Sequence, residues 1–154
     1  MEIKTAGEDS LEIVRAITVR TIETIYPKYY PKGAVDFFLK HHCDENILTD
    51  IRNGNVFICC DDNTVVGTVT VKGNEICRLF VLPEYQGRGY GGRLIGFAEQ
   101  RISENHNKVM LDSSLPAKPV YLKRGYNPME FHSIKTANGD FLCYDVMIKQ
   151  IYEN

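Results

Sequence analysis

The sequence reads as one mixed α/β domain. Three observations predict it. The apolar spacing is helical near the start and again after residue 90, but strand-like through the middle and the end. Turn signals at Asp61-Asp62-Asn63, at Gly73-Asn74 and in the segment ANGD separate apolar runs short enough to be strands. The length of 154 residues, 44% apolar and 25% charged, suits a single soluble domain, residues 1–154, with one substantial core.

Each element follows from its own residues. EIKTA reads as a first strand. From Asp9 or Ser10, either a good N-cap, the series Leu11, Ile13, Val14, Ile17, Ile22 and Ile25 has helical spacing, and Pro27 ends it. The kinked connection YPKYYPKG leads to two short helices, AVDFFLKHH and ENILTDIRNG, the second stopped by Asn53-Gly54. VFICCDD, TVVGTVTVKG and EICRLFVL are three strands whose turns suit antiparallel hairpins. A helix runs from Gly91 to about Ser103, with Leu94, Ile95, Phe97, Ala98 and Ile102 on its inner side. KVMLD is a buried strand, and a short helix spans Pro119 to Arg124 and stops at Gly125. MEFHSI and FLCYDVMIK close the chain as a hairpin.

Composition narrows the function classes. A net charge of −2 and a pI near 6.1 give no basic face for nucleic acid. The polar, acidic start MEIKTAGEDS has no secretory apolar region, and no apolar run approaches the ~20 residues a spanning helix needs. Cys43, Cys59, Cys60, Cys77 and Cys143 are odd in number and have no C-x-x-C spacing. They read as reduced thiols of a cytoplasmic protein, with Cys59 and Cys60 on opposite faces of one strand.

The stretch YQGRGYGG, Tyr85 to Gly92, is the feature that chemistry must explain. Gly87, Gly89 and Gly92 fit G-x-G-x-x-G, and Asp112 lies 20 residues beyond Gly92, at the end of a strand, where a ribose-binding acid would sit. Two points reject a dinucleotide site. Pro83 to Gln86 separate the strand from the first glycine, and the residues after Asp112 read as a hairpin rather than further βα units. The P-loop pattern is absent. What survives is an anion cradle: bare backbone, outward N–H groups, a helix N-terminus, and the charges of Arg88 and Arg93.

The run LFVLPEYQGRGYG resembles the GNAT-type N-acetyltransferases. Gln86-Gly87-Arg88-Gly89-Tyr90-Gly91 matches the family's [RQ]-x-x-G-x-[GA], and Tyr121 to Tyr126 is similar to its Y-x-x-x-G-[FY] segment. The element order fits from first residue to last. The resemblance implies a central, mostly antiparallel mixed sheet of about seven strands flanked by four to five helices. It implies acetyl-CoA as co-substrate, with its pyrophosphate on the N–H groups of Arg88 to Gly92. It implies that the strands around the glycine loop splay apart, and that the pantetheine arm pairs there with the backbone of Leu79, Phe80 and Val81. Many members carry Asn where this chain has Ser114.

Amine acetylation must first remove a proton. An amine of pKa ~10.4 is mostly protonated at pH 7, a penalty of ~4.6 kcal/mol. Glu75, at the offset of the catalytic glutamate in the family's histone-modifying members, is the expected base, directly or through water. Backbone N–H groups from Leu79 to Val81 are expected at the carbonyl oxygen. Tyr121 resembles the family's usual acid for the departing thiolate, and Tyr126 is expected to pack. Direct attack is favoured, because Cys77 and Cys143 have no evident histidine partner.

Other features read as structural. His41-His42-Cys43-Asp44-Glu45 has no second cluster to complete a metal site and reads as a polar helix end. His106 and His132 read as surface residues. Tyr26, Tyr29, Tyr30, Phe37 and Phe38 form either a substrate wall or ordinary core, and Asp36, Asp44 and Glu45 either attract a cation or form a wet rim. The acceptor stays open among a polyamine, an aminoglycoside, an amino acid, and a protein lysine or N-terminus. A non-catalytic acyl-CoA sensor of the same fold is the alternative function, and the resemblance allows a homodimer.

Overall fold

In the computed structural model, which describes residues 1–151, the elements run in the expected order; residues 152–154 of the expected domain span lie outside the described residues. Strand β1 (Glu2–Thr5) precedes three helices, α1 (Leu11–Ile25), α2 (Lys32–His41) and α3 (Asp44–Arg52). Strands β2 (Val56–Asp61), β3 (Thr64–Lys72) and β4 (Glu75–Val81) form consecutive hairpins. Helix α4 (Tyr90–Ser103), strand β5 (Lys108–Ser113), helix α5 (Lys118–Lys123) and the hairpin β6 (Asn127–Lys135) and β7 (Phe141–Gln150) complete the chain. The strands make one seven-stranded sheet in the order β1-β2-β3-β4-β5-β7-β6. This is the mixed, mostly antiparallel architecture expected from the sequence.

Every strand pair is antiparallel except β4 and β5. A parallel pair needs a long crossover, and α4 supplies it. That pairing covers only Glu75↔Met110 and Ile76↔Leu111. Beyond it the two strands separate, and the gap between them is the central feature of the molecule.

The sheet is covered on both faces. On one face Leu94, Ile95, Ala98 and Ile102 of α4 pack with Val66, Val69, Ile76, Val81 and Leu111. On the other, α1 and α2 bring Ile17, Ile22 and Ala34 against Phe80, Leu82 and Leu142. Further along that face, Val14 and Ile47 meet Val56 and Ile58. As expected, Cys59 and Cys60 go to different sides: Cys59 joins the α4-side core and Cys60 the α1–α3 side.

Simple alternation breaks at one point in β4. Thr70 faces Arg78 but Val71 faces Ile76, so Cys77 is an extra residue on the β4 side. The bulge lets Ile76 enter the α4-side core while Arg78, two residues on, turns to the α1–α3 face. There its guanidinium is 5% exposed. Its Nη1 donates to Asp50 Oδ2 at 3.2 Å and to Thr70 Oγ1 at 3.1 Å. Its Nε donates to His42 Nδ1 at 3.1 Å. Asp50 also receives Lys72 Nζ at 2.8 Å. His42 therefore departs from the polar helix end expected of HHCDE: it is 8% exposed, because it closes the hydrogen-bond set of a buried arginine.

Burial, then the Arg78 charge and His41, pushes the His42 pKa from 6.5 down to about 3. The unfolded chain protonates this ring near pH 6.5 and the folded chain does not, so the unfolded state binds more protons between those values. Stability is present above pH 6.5 and falls as the pH drops towards 3. By pH 5 this one group should remove about 2 kcal/mol. The urea-denaturation curves of the wild type and His42→Asn at pH 7 and pH 5 should show that loss in the wild type alone.

Gly67 of β3 faces α4 where helix and sheet touch closely. A Cβ there would meet Leu94 Cδ1 at 2.9 Å and the Phe80 carbonyl oxygen at 3.0 Å. The second neighbour is backbone and cannot rotate away. Gly67→Ala should lower the denaturation free energy by about 1–3 kcal/mol through overpacking, read as a lower urea midpoint at unchanged slope.

Candidate active site

The gap exposes main-chain groups on one edge of β4. Leu82 N–H donates to Val66 O at 2.9 Å, which fixes the alternation along the β3–β4 ladder. Arg78, Phe80 and Leu82 turn their peptide groups to β3, so those of Leu79 and Val81 face the gap. Of the three residues expected to pair with a pantetheine arm, two present their backbone to the gap. Phe80 instead places its ring beneath the cavity, against Tyr26 at 6.4 Å and His42 at 5.5 Å. The Val81 carbonyl accepts from Gln86 Nε2 at 3.0 Å and Thr21 Oγ1 at 3.3 Å, leaving its N–H free on that edge.

The glycine loop lies at one end of the gap. Gly87 and Gly89 have φ of 74° and 89°, the left-handed region that disfavours side chains. Across Gly87 to Gly92 no N–H has a backbone acceptor among the described residues; Arg93 is the next residue, and its N–H reaches Gly89 O at 3.1 Å. Neither dihedral nor crowding demands glycine at Gly91 or Gly92, where a Cβ would find its nearest neighbours at 3.9 and 4.0 Å. The missing side chains there leave room above a helix N-terminus. The Tyr90 phenol is turned away, bonded to Asp61, so this residue offers its main chain. The Arg88 guanidinium lies over the Tyr85 ring, 5.3 Å from its centre. The donors, the dipole and the open space fit a phosphate group.

From this loop a cavity of about 580 Å³ runs between β4 and β5 to the helices α1 and α2. Tyr121, from α5, lines it and is 7% exposed. Its ring packs edge-on against Tyr126 at 5.4 Å, and its hydroxyl has no side-chain partner among the described residues. Burial, then Tyr26, pushes its phenol pKa up, so it stays protonated and suits an acid. Tyr126 is core, as expected, with its hydroxyl on Glu99 Oε1 at 3.1 Å. Burial works against the Glu99 charge, yet Arg124 and Lys149 hold its carboxyl below the usual range. This clamp ties α4 to the segment carrying Tyr121. Ser114 lines the cavity next to the Tyr26 phenol, which burial pushes up and Ser114 pulls back down.

Two acids stand at the closed end of the gap. Ile76 and Leu111 enter the α4-side core, so their neighbours Glu75 and Asp112 turn to the opposite face. Asp112 lines the cavity and Glu75 does not, standing behind it at the start of β4. Burial raises the Asp112 pKa, with His132 and His41 opposing. Burial, then Asp112, raises that of Glu75. Cys77 also lines the cavity, but burial, then Glu75, pushes its thiol up to about 11, which keeps it unreactive.

The remaining candidates divide. Tyr26, Phe37 and Phe38 line the cavity. Tyr30 is core: its hydroxyl donates to Cys143 O at 3.1 Å and receives Leu115 N–H at 2.8 Å. Tyr29 is exposed. Asp36 pairs with Lys32 and Asp44 with Arg15 on the outer surface. His132 is half-exposed but stacks on Tyr144 at 5.1 Å, which itself lines the cavity. Asp112, considered in the sequence only as a ribose ligand, and the buried His42 also line the cavity, which motif reading did not foresee. Among the described residues no group of three or more His, Cys, Asp or Glu is placed to hold a metal ion, and no helix is long and apolar enough to cross a membrane.

Known proteins give the same picture. The family model described as "Acetyltransferase (GNAT) domain" matches residues 25–139. An uncharacterized N-acetyltransferase of Archaeoglobus fulgidus is 30% identical over 115 residues, 71% of this chain and 78% of that protein. A GCN5-related N-acetyltransferase from Rhodopseudomonas palustris superposes with a TM-score of 0.87 at 24% identity, covering 97% of this chain and 95% of that one. PaiA N-acetyltransferase from Thermoplasma acidophilum, solved with coenzyme A, superposes at 0.72 with 21% identity, covering 97% and 98%. With a family model spanning most of its length, this chain belongs to the GNAT acetyltransferase family.

Proposed function

We propose that the chain moves an acetyl group from acetyl-CoA to a primary amine by direct attack in a ternary complex. One observation carries the reading: the run of unbonded N–H groups at Gly87–Gly92 leads to the strand edge bared at Leu79 and Val81, in a cavity that Tyr121 also lines. A long ligand with a pyrophosphate at one end and amides along its arm meets donors throughout that path. The coenzyme A in the PaiA structure supports the same identity.

Bound there, acetyl-CoA supplies an activated acyl group. The main chain of Gly87 to Gly92 holds the pyrophosphate, and Leu79 and Val81 align the arm as a missing strand would. An N–H of that edge donates to the acyl oxygen as charge grows on it. Tyr121 gives its proton to the departing sulfur. Asp112, with Glu75 behind it, takes up the proton the amine loses, directly or through water.

Acetyl-CoA and CoA, but not NADH or NADPH, should raise the melting temperature; at 100 times Kd the added stability is ~2.7 kcal/mol. A shift with NADH alone would overturn the reading. Tyr121→Phe should keep the CoA affinity and lose about 10²-fold in kcat; an unchanged rate would take the acid role from Tyr121, and CoA binding by the wild type without turnover of any amine would favour the sensor. A carboxylate base must be ionised, so kcat/KM should rise with pH through the raised pKa of the acid pair. Asp112→Asn should abolish that limb if Asp112 is the proton acceptor. Loss of the limb in Glu75→Gln alone would give the role to Glu75.

A further inference from the structure

His42 has a definite tautomer and a definite direction. Its Nδ1 receives the Arg78 Nε–H at 3.1 Å, so the neutral ring carries its proton on Nε2. It therefore cannot act as a base towards the cavity it lines; it can only donate. The residue is more than nine-tenths buried, and Nε2 has no partner among the described side chains. Yet no fully buried side-chain nitrogen or oxygen in the described structure lacks a hydrogen bond. Nε2–H is therefore not fully enclosed, and His42 lines the cavity.

The charges behind it are matched: Asp50 takes Arg78 and Lys72, and Lys72 also stands opposite Glu75 in the β3–β4 register. Across the gap, the register Ile76↔Leu111 brings Asp112 to the position facing Cys77, the residue before Arg78. Asp112 makes no ion pair with a described residue. One wall offers a fixed donor and the other an unpaired carboxylate. Between them lie the apolar surfaces of Phe37, Phe38 and Leu142.

We propose that the acceptor is a free α-amino acid, its carboxylate on His42 Nε2–H and its ammonium towards Asp112. The inference rests on the acetyl-CoA reading above and names the acceptor of that site. The pantetheine arm shares the same cavity of about 580 Å³, which limits the acceptor's size. The aromatic and aliphatic wall accommodates an apolar or long side chain. A simple amine would leave the donor of His42 unanswered in a site emptied of water, which disfavours it.

Affinity for the CoA-bound protein reads the acceptor site without turnover. Calorimetric titrations should compare leucine, phenylalanine and lysine with isoamylamine, phenethylamine and cadaverine, which differ only by the carboxylate. A hydrogen bond to a charged group corresponds to about ten- to hundredfold in affinity. The wild type should prefer at least one amino acid by that factor, and kcat/KM should follow. His42→Asn keeps an acceptor for Arg78 but shortens the donor, so it should bring each pair to within about threefold at unchanged CoA affinity. Equal binding of the pairs by the wild type, or a preference that survives His42→Asn, would overturn the inference. So would tight CoA binding with none of the amino acids bound. Failure to bind CoA would instead remove the reading on which it rests.

Discussion

The extra residue at Cys77 divides β4 into two segments that serve different cores, and the rest of the site is arranged around that division. Before it, Ile76 follows the α4-side core and pairs with β5. After it, Arg78 leaves that core, and the strand edge at Leu79 and Val81 has no neighbour on the β5 side. A continuous parallel pairing would have spent those peptide groups on the sheet itself. The sheet instead stays intact through β1–β4 on one side and β5, β7 and β6 on the other.

The bulge also sends a guanidinium into the interior, where an isolated charge is unfavourable. Asp50 and Thr70 answer it on one side and His42 on the other. The histidine answers as a neutral acceptor and thereby becomes a donor elsewhere. A structural requirement of the fold and a chemical property of the cavity wall are two ends of one imidazole ring.

How much of this the sequence discloses depends on the range of the interaction. The cradle is local: glycines between an apolar strand and an amphipathic run are visible in one short window, and the structure places unbonded N–H groups there. The hairpins are local too, since their turns carry their own residues. The bulge is not, because register depends on β3 as much as on β4. Arg78 stands out as a charge within EICRLFVL, but its partners lie 28 and 36 residues upstream. HHCDE looks polar throughout until Arg78 buries one of its histidines. Asp112 was visible as an acid at a strand end; that it faces the gap follows only from the two-residue contact of β5 with β4.

That short contact has a mechanical side. Main chain joins the two halves of the sheet at only two residue pairs, so much of what spans the seam is side chain. The Tyr30 hydroxyl, between α1 and α2, reaches across to β7 and to the loop after β5, and Glu99 ties α4 to Arg124 and Lys149. The seam has the form of a hinge: the two halves meet at Ile76 and Leu111 and part towards the glycine loop. A guest lying in that gap would supply the absent ladder and stand, for as long as it stayed, as an eighth strand.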